Sequence, residues 1–234
     1  MYFGLSEDQI FFQDNVKKFL EDNAPLDLIR KISKGEDLNQ KNEIHSGIIN
    51  LGINNILVPE EHGGLGLDLL FATAISQSIG GAVAPLPYCG SYVMAPIAIQ
   101  IGASKSQKEN IFNEMSSSNI KFGIAFSEYF GSRDSSSINF SNEKINGKTI
   151  FAIDCDYATD VLVSDASGKI GIVSIEDKNI EIVDLITVDK TRTYKEIKFS
   201  NANVEILENT KKNTDAIEKA LDAGRIITAA DTLG

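Results

Sequence analysis

Residues 121–134 read KFGIAFSEYFGSRD. An apolar run, Phe122 to Phe126, stops at a hydroxyl and a carboxylate, Ser127-Glu128. Gly131 and the acid Asp134 follow. A hairpin can end a strand this way. A ligand site at a strand end needs such a pattern, because a hydroxyl and free main-chain amides there can bind the polar edge of a ligand. The other candidate chemistries are thinner. Glu60-Glu61-His62 could form an acid/base cluster, but it precedes Gly63-Gly64 and reads as a solvated loop. His45 and His62 stand apart with no clustered ligands, so no metal site is expected. There is no G-x-S-x-G, and two histidines give no evident triad. NGKT at 146–149 ends like a phosphate loop, but position 142 is Asn where that motif needs glycine. GGLGLD at 63–68 lacks a third glycine and follows no strand of a βαβ unit, so it is not a dinucleotide fingerprint.

The elements that must hold these residues change character along the chain. Ser6-Glu7-Asp8-Gln9 is a capping box, and Ile10, Phe12, Val16, Phe19 and Leu20 follow at helical spacing. Residues 31–43 are polar and poorly periodic and read as a loop. A short helix spans Ile44 to Leu51, with Gly52 at its C′ position. Asp68 caps a helix over about 69–79, another fits 91–101, and Ser106-x-x-Glu109 reads as a second capping box for a helix to about 117. From Ile120 to about Leu207 the pattern is short β-branched runs between turn residues: 121–127, 148–154, 160–164, 169–175, 180–186, 194–199 and 203–207. INGK at 145–148 places Asn-Gly where a tight hairpin turn would sit. From about 213, Ala216, Ile217, Ala220, Leu221, Ile227 and Ala230 share one helical face.

The expected fold class is therefore α+β and multidomain. An all-α domain covers 1–119, an antiparallel β-barrel or sandwich covers 120–210, and the first helix of a further helical domain covers 211–234. With 234 residues, 42% of them hydrophobic, the chain can bury a substantial core. A formal net charge of -11 argues against a nucleic-acid partner and against adsorption to an anionic membrane. No stretch approaches the roughly 18 apolar residues of a membrane span, and MYFGLSEDQI lacks the features of a signal peptide. Two cysteines, Cys89 and Cys155, fit a reducing cytoplasm.

Three segments together resemble the acyl-CoA dehydrogenase family. LGINNILVPEEHGGLGLD resembles the loop between N-terminal helices of that family. FGIAFSEYFGSRD resembles the start of its β-domain, and INGKTIFAIDCDYATDVLV resembles the next flavin-contacting strand. The α-then-β order agrees over essentially the whole chain. The resemblance implies FAD as cofactor and an acyl-CoA thioester as substrate. A carboxylate would remove the α-proton, and the flavin would take the β-hydride. It implies an electron-transfer flavoprotein as electron acceptor and a homo- or hetero-oligomer. Phe126 and Ser127 fall at the flavin-contacting strand end, with Ser127 in the hydroxyl role, and Phe151 at the position of an aromatic that packs on the flavin. Asp222 and Arg225 match an acid and an arginine near the pantetheine channel.

Departures accompany the match. Ile153 stands among the flavin-contacting positions where relatives carry Thr, and an alkyl group donates no hydrogen bond. Asp154-Cys155 replaces Asn-Gly, and a bare carboxylate beside a flavin would oppose its reduced anionic form. Arg133 replaces a small residue; it would either pair with a CoA phosphate or block the turn. The family's C-terminal helical domain, with the catalytic base, is expected to lie outside these residues, so no catalytic residue is assigned. GGAVAPLPY at 80–88 and VDKTRTY at 188–194 resemble divergent bacterial members, including paired subunits of heteromeric enzymes. Two alternatives accompany the dehydrogenase reading: a non-catalytic partner subunit, and a related flavin monooxygenase or oxidase.

Overall fold

The computed structural model describes residues 4–131 and 138–234. The first helix, α1 (Glu7–Asn23), starts at the capping box: Gln9 N donates to Ser6 Oγ at 3.2 Å and Ser6 N to Gln9 Oε1 at 2.9 Å. The segment expected as a loop is largely helical, with α2 (Leu26–Ile32) and α3 (Leu38–Asn50). The first turn of α3 faces solvent, so its polar residues carry no periodic signal; the buried face begins only at Ile44, His45 and Ile48. Gly52 takes the left-handed conformation, φ 76°, that ends this helix. Asp68 caps α4 (Leu69–Gly81) by accepting from Leu70 N and Phe71 N. Tyr88–Met94 form a π-helical turn that runs into α5 (Ala95–Gly102). The cap of α6 (Lys105–Ser116) is Ser104 with Gln107, two residues before the expected box. Two such boxes overlap here. Tertiary bonds select the earlier one, since Gln107 also reaches Glu205, Ile206 O and Glu208 N.

Eight strands follow: β1 (Phe122–Ala125), β2 (Asn139–Ser141), β3 (Lys144–Ile153), β4 (Asp160–Ser164), β5 (Ile170–Ser174), β6 (Ile180–Leu185), β7 (Tyr194–Asn203) and β8 (Glu205–Ile206). They make one sheet in the order β6-β7-β3-β1-β4-β5-β8, with β2 paired to β3. All pairings are antiparallel except β1 with β4, which run parallel. β1 lies between β3 and β4 and is buried at all four residues, so it reads as an unbroken apolar run. The Asn146-Gly147 pair is not the turn. It sits inside β3, at a bulge against β7. The β2–β3 turn is Asn142-Glu143, both at positive φ (50° and 56°), the geometry that a two-residue hairpin demands.

Helix α7 (Asn213–Leu233) joins the parts. Its Ala223 and Ile227 pack into the helical core with Val16, Leu20, Ile48 and Ile75. Its Ala216, Ile217 and Ala220 pack with Ile99, Phe112, Phe122 and Leu162 under the sheet. A third cluster, with Ile145, Val163, Ile197 and Phe199, fills the sheet's other side. A fully buried Ile contributes roughly 1.5–3 kcal/mol and an Ala less; Ile227 seats α7 on the helical core and Ile217 seats it under the sheet. A polar clamp links α3 to the turn after β3. Lys41 pairs with Asp156 at 3.1 Å, and the His45 ring stacks on Tyr157 at 3.9 Å.

Candidate functional site

Because β1 and β3 pair antiparallel at Ile124↔Ile153, the residues beyond the end of β1 come level with the middle of β3. Helix α7 lies across them. Between these elements is a cleft of about 590 Å³, within the roughly 300–1,000 Å³ usual for small-molecule sites. Phe126, Ser127, Phe151, Ile153 and Arg225, from three separate stretches of sequence, all line it. Sequence reasoning did not single out the rest of the wall. Cys89 and Met94 come from the π-helical turn, Phe130 from the turn after β1, and Leu221, Gly224, Thr228 and Thr232 from α7. Of the α7 members, Leu221 was expected on the buried face and instead lines the cleft, while Gly224, Thr228 and Thr232 form a second stripe at helical spacing beside that face.

Phe151 is the most unusual residue here. It is 58% exposed and adopts φ 57°. A bulge in β3 between Thr149 and Ala152 turns it out of the sheet. Left-handed backbone at an aromatic residue is strained, and strain of this kind concentrates at ligand sites. Phe126, by contrast, is buried and closes the floor. At the mouth, Phe130 is also exposed, and the Arg225 guanidinium lies 5.9 Å from its ring centre. Tyr129 fixes the same turn to α7 by donating to Glu218 at 2.9 Å. The Ser127 hydroxyl is 2.9 Å from the hydroxyl of Thr149, which is fully buried. Arg225 is paired with Asp222 at 2.6 Å; Asp222 itself lies on the outer side and does not line the cleft. Arg133 lies outside the described residues.

A second, more polar cleft of about 270 Å³ adjoins the first and shares Cys89, Ile153, Thr228 and Thr232 with it. Asp154 lines this one. Its carboxylate accepts from Gly90 N at 2.5 Å and Ser91 N at 3.3 Å. Burial raises its pKa to about 6, against the lowering effect of those amides and of Arg192. Arg192 is bound to Asp231 at 2.7 Å and bridges to Leu86 O. The carboxylate that replaces Asn in the resemblance is thus held by amides, and it lines the polar cleft instead of the apolar one. Both cysteines are free. Burial pushes the Cys89 thiol up to about 12, so it lines the cleft as a neutral group and not as a nucleophile.

Among the described residues, no group of three or more His, Cys, Asp or Glu is placed to hold a metal, and no helix is long and apolar enough to cross a membrane. Glu60–His62 form a single turn in which His62 Nε2 lies 3.6 Å from Glu61 Oε1. No residue of that turn lines the cleft.

Residues 6–119 match the family model described as acyl-CoA dehydrogenase, N-terminal domain. No curated protein matches the chain in sequence. Solved structures match in fold. The ChsE4-ChsE5 complex from Mycobacterium tuberculosis aligns at a TM-score of 0.81 and 18% identity, over 99% of this chain and 64% of that one. Butyryl-CoA dehydrogenase from Megasphaera elsdenii aligns at 0.76 and 19%, over 99% and 66%. Acyl-CoA dehydrogenase complexed with FAD from Bacillus anthracis aligns at 0.78 and 15%, over 97% and 42%. The chain therefore spans less than two thirds of the length of each of these structures.

Proposed function

We propose, from the premise that this chain belongs through its N-terminal domain to the acyl-CoA dehydrogenases, that the apolar cleft is the flavin face of a site that oxidises an acyl-CoA thioester. One observation carries the reading: a strained, exposed Phe151 forms part of a mostly apolar cleft with the Ser127 hydroxyl on the sheet side, the Thr228 and Thr232 hydroxyls across from it being spent on carbonyls of their own helix. That donor set fits a flat heteroaromatic ring with a polar edge. FAD, when bound, supplies the hydride acceptor. This chain's residues do the rest of the holding. Phe151 offers a face for stacking, Phe126 and Ile153 exclude water, and Ser127 meets the polar edge. Arg225, next to Asp222 at the mouth, offers a cation to an anionic portion of the substrate. Among the described residues no carboxylate lines the cleft, so the proton-abstracting base is not assigned to them. The working division is a helical domain at 1–119, a β-domain at 120–210 and the start of a further helical domain at 211–234.

A second reading has its own support. Ile153 offers the ring no hydrogen bond, and one solved structure of the same fold is a two-protein complex. On that reading the chain is one subunit of a heteromeric assembly. Oxidation of acyl-CoA by way of an electron-transfer flavoprotein belongs to the whole protein on either reading.

The test is equilibrium binding of FAD to the protein and to Phe151→Ala. Saturable binding that weakens by about tenfold or more in the variant supports a flavin face here. Binding indifferent to Phe151 rejects this cleft. No binding by the chain alone, but binding when a second homologous chain is added, favours the partner-subunit reading.

A further inference from the structure

Thr149 is not among the cleft-lining residues, yet its hydroxyl touches one that is. Its side chain is fully buried on β3. Among the described residues, the hydrogen-bond partner of its hydroxyl is Ser127 Oγ, at 2.9 Å. Each hydroxyl has one hydrogen to donate, and only one hydrogen can lie between the two oxygens. If Ser127 donated, the Thr149 hydrogen would be left buried with no acceptor. An unmet buried donor costs about 1–3 kcal/mol. If Thr149 donates, its hydrogen is satisfied, and the Ser127 hydrogen is left for the cleft, where that residue has solvent or ligand to meet.

We propose that Thr149 is a positioning residue that donates to Ser127 and so fixes the Ser127 hydroxyl as a hydrogen-bond donor into the cleft. The inference deepens the flavin reading and rests on it. It adds a recognition rule: the ring edge that meets Ser127 must present an acceptor, an unprotonated ring nitrogen or a carbonyl oxygen. With Ile153 nearby offering no donor, this arrangement gives Ser127 an assigned role on that side. Two features keep the pair in place. The β1–β3 pairing carries the chain beyond β1 alongside β3, where Ser127 meets Thr149, and the β3 bulge that begins at Thr149 turns Phe151 outward from the same point. The stacking ring and the donor are therefore set by one irregularity in one strand.

The experiment measures FAD affinity and the visible absorption of bound FAD in the wild type, Thr149→Val, Thr149→Ser, Ser127→Ala and the Ser127→Ala/Thr149→Val double variant. Thermal unfolding of each is recorded in parallel. Valine keeps the shape and removes the hydroxyl; serine keeps the hydroxyl. Expected is an affinity loss of roughly five- to tenfold in Thr149→Val, a changed absorption band shape, and wild-type behaviour in Thr149→Ser. The loss from Thr149→Val should vanish when Ser127 is already Ala. A purely structural role would lower the unfolding temperature and leave affinity and spectrum unchanged, which would overturn the inference. Additive losses in the double variant, or wild-type affinity in Ser127→Ala, would overturn it as well. Should Thr149→Val fail to fold, Thr149→Cys, with its weak thiol donor, takes its place under the same expectation. If the folded wild type binds no FAD, alone or with a second homologous chain, the flavin reading fails first and this inference with it. Wild-type binding with an unaffected Thr149→Val sinks the inference alone.

Discussion

Replacing Asp154 with Asn should change the pH dependence of stability in a defined direction. In the folded chain the carboxylate's pKa rises from an ordinary 3.8 to about 6, with burial the largest cause. A carboxylate raised on folding binds more protons in the native state than in the unfolded one between those two values. Stability from this group is thus full below about pH 4, falls as pH rises toward 6, and stays low above it. Two pH units at 1.36 kcal/mol each give a cost of about 3 kcal/mol. The side chain keeps some surface in the polar cleft, so this is an upper bound. His45 works in the opposite sense. Its pKa is lowered to about 4, chiefly by burial, so its contribution is lost as pH falls below its ordinary 6.5. The wild-type profile alone therefore hides the Asp154 effect, and the difference between wild type and Asp154→Asn isolates it. Urea unfolding at pH steps from 4 to 8 is the assay. The variant's stability relative to wild type should rise by about 1–3 kcal/mol across that range, with most of the change between pH 4 and 6. Gly90 N and Ser91 N donate to one and the same carboxylate oxygen, so the Asn carbonyl oxygen can accept from both, and a constant loss of about 1 kcal/mol is expected beneath the pH-dependent part because a neutral acceptor holds those amides less strongly than a carboxylate. A difference that is flat with pH, or that grows toward acid, would refute the assignment of a buried, ionising carboxylate here.

Two further outcomes follow from the geometry. Phe151→Asn removes an exposed ring and puts a residue tolerant of left-handed backbone at φ 57°, so it should raise stability by about 1 kcal/mol while weakening FAD binding; lower stability with unchanged binding would show that the ring serves packing instead. Gly80→Ala should cost more than about 2 kcal/mol in chemical unfolding, because a Cβ there would lie 1.9 Å from the Asp231 carbonyl where α4 crosses α7, and a near-neutral result would mean that the helices do not cross this closely.

How much was legible in the sequence differs by element. Caps and cores read well where the signal is local: Ser6 with Gln9, Asp68 before α4, and the buried face of α7 all stand as the spacing predicts. Local signals misled where two were present or where one was drowned. Overlapping Ser-x-x-Gln and Ser-x-x-Glu boxes needed the contacts of Gln107 with the β8 region to decide between them. Asn146-Gly147 looks like a turn, yet the strand ran through it and Asn142-Glu143 turned instead, since the register of β3 against β7 is set by buried residues such as Ile145 and Ile197. The parallel β1–β4 pairing could not be read at all, because it depends on β4 passing β3 to reach β1. For the cleft, the resemblance singled out Ser127, Phe151 and Ile153, and the structure brings them together. It gave no hint of Thr149, a residue that reads as ordinary strand filler until its hydroxyl is found against Ser127.

The most direct test of the central claim is a crystal structure of the protein grown with FAD. The flavin ring is expected in the cleft between β3 and α7, against Phe151, with an acceptor on its edge bonded to the Ser127 hydroxyl. A ring bound elsewhere, or a saturated crystal with this cleft holding only water, would contradict it.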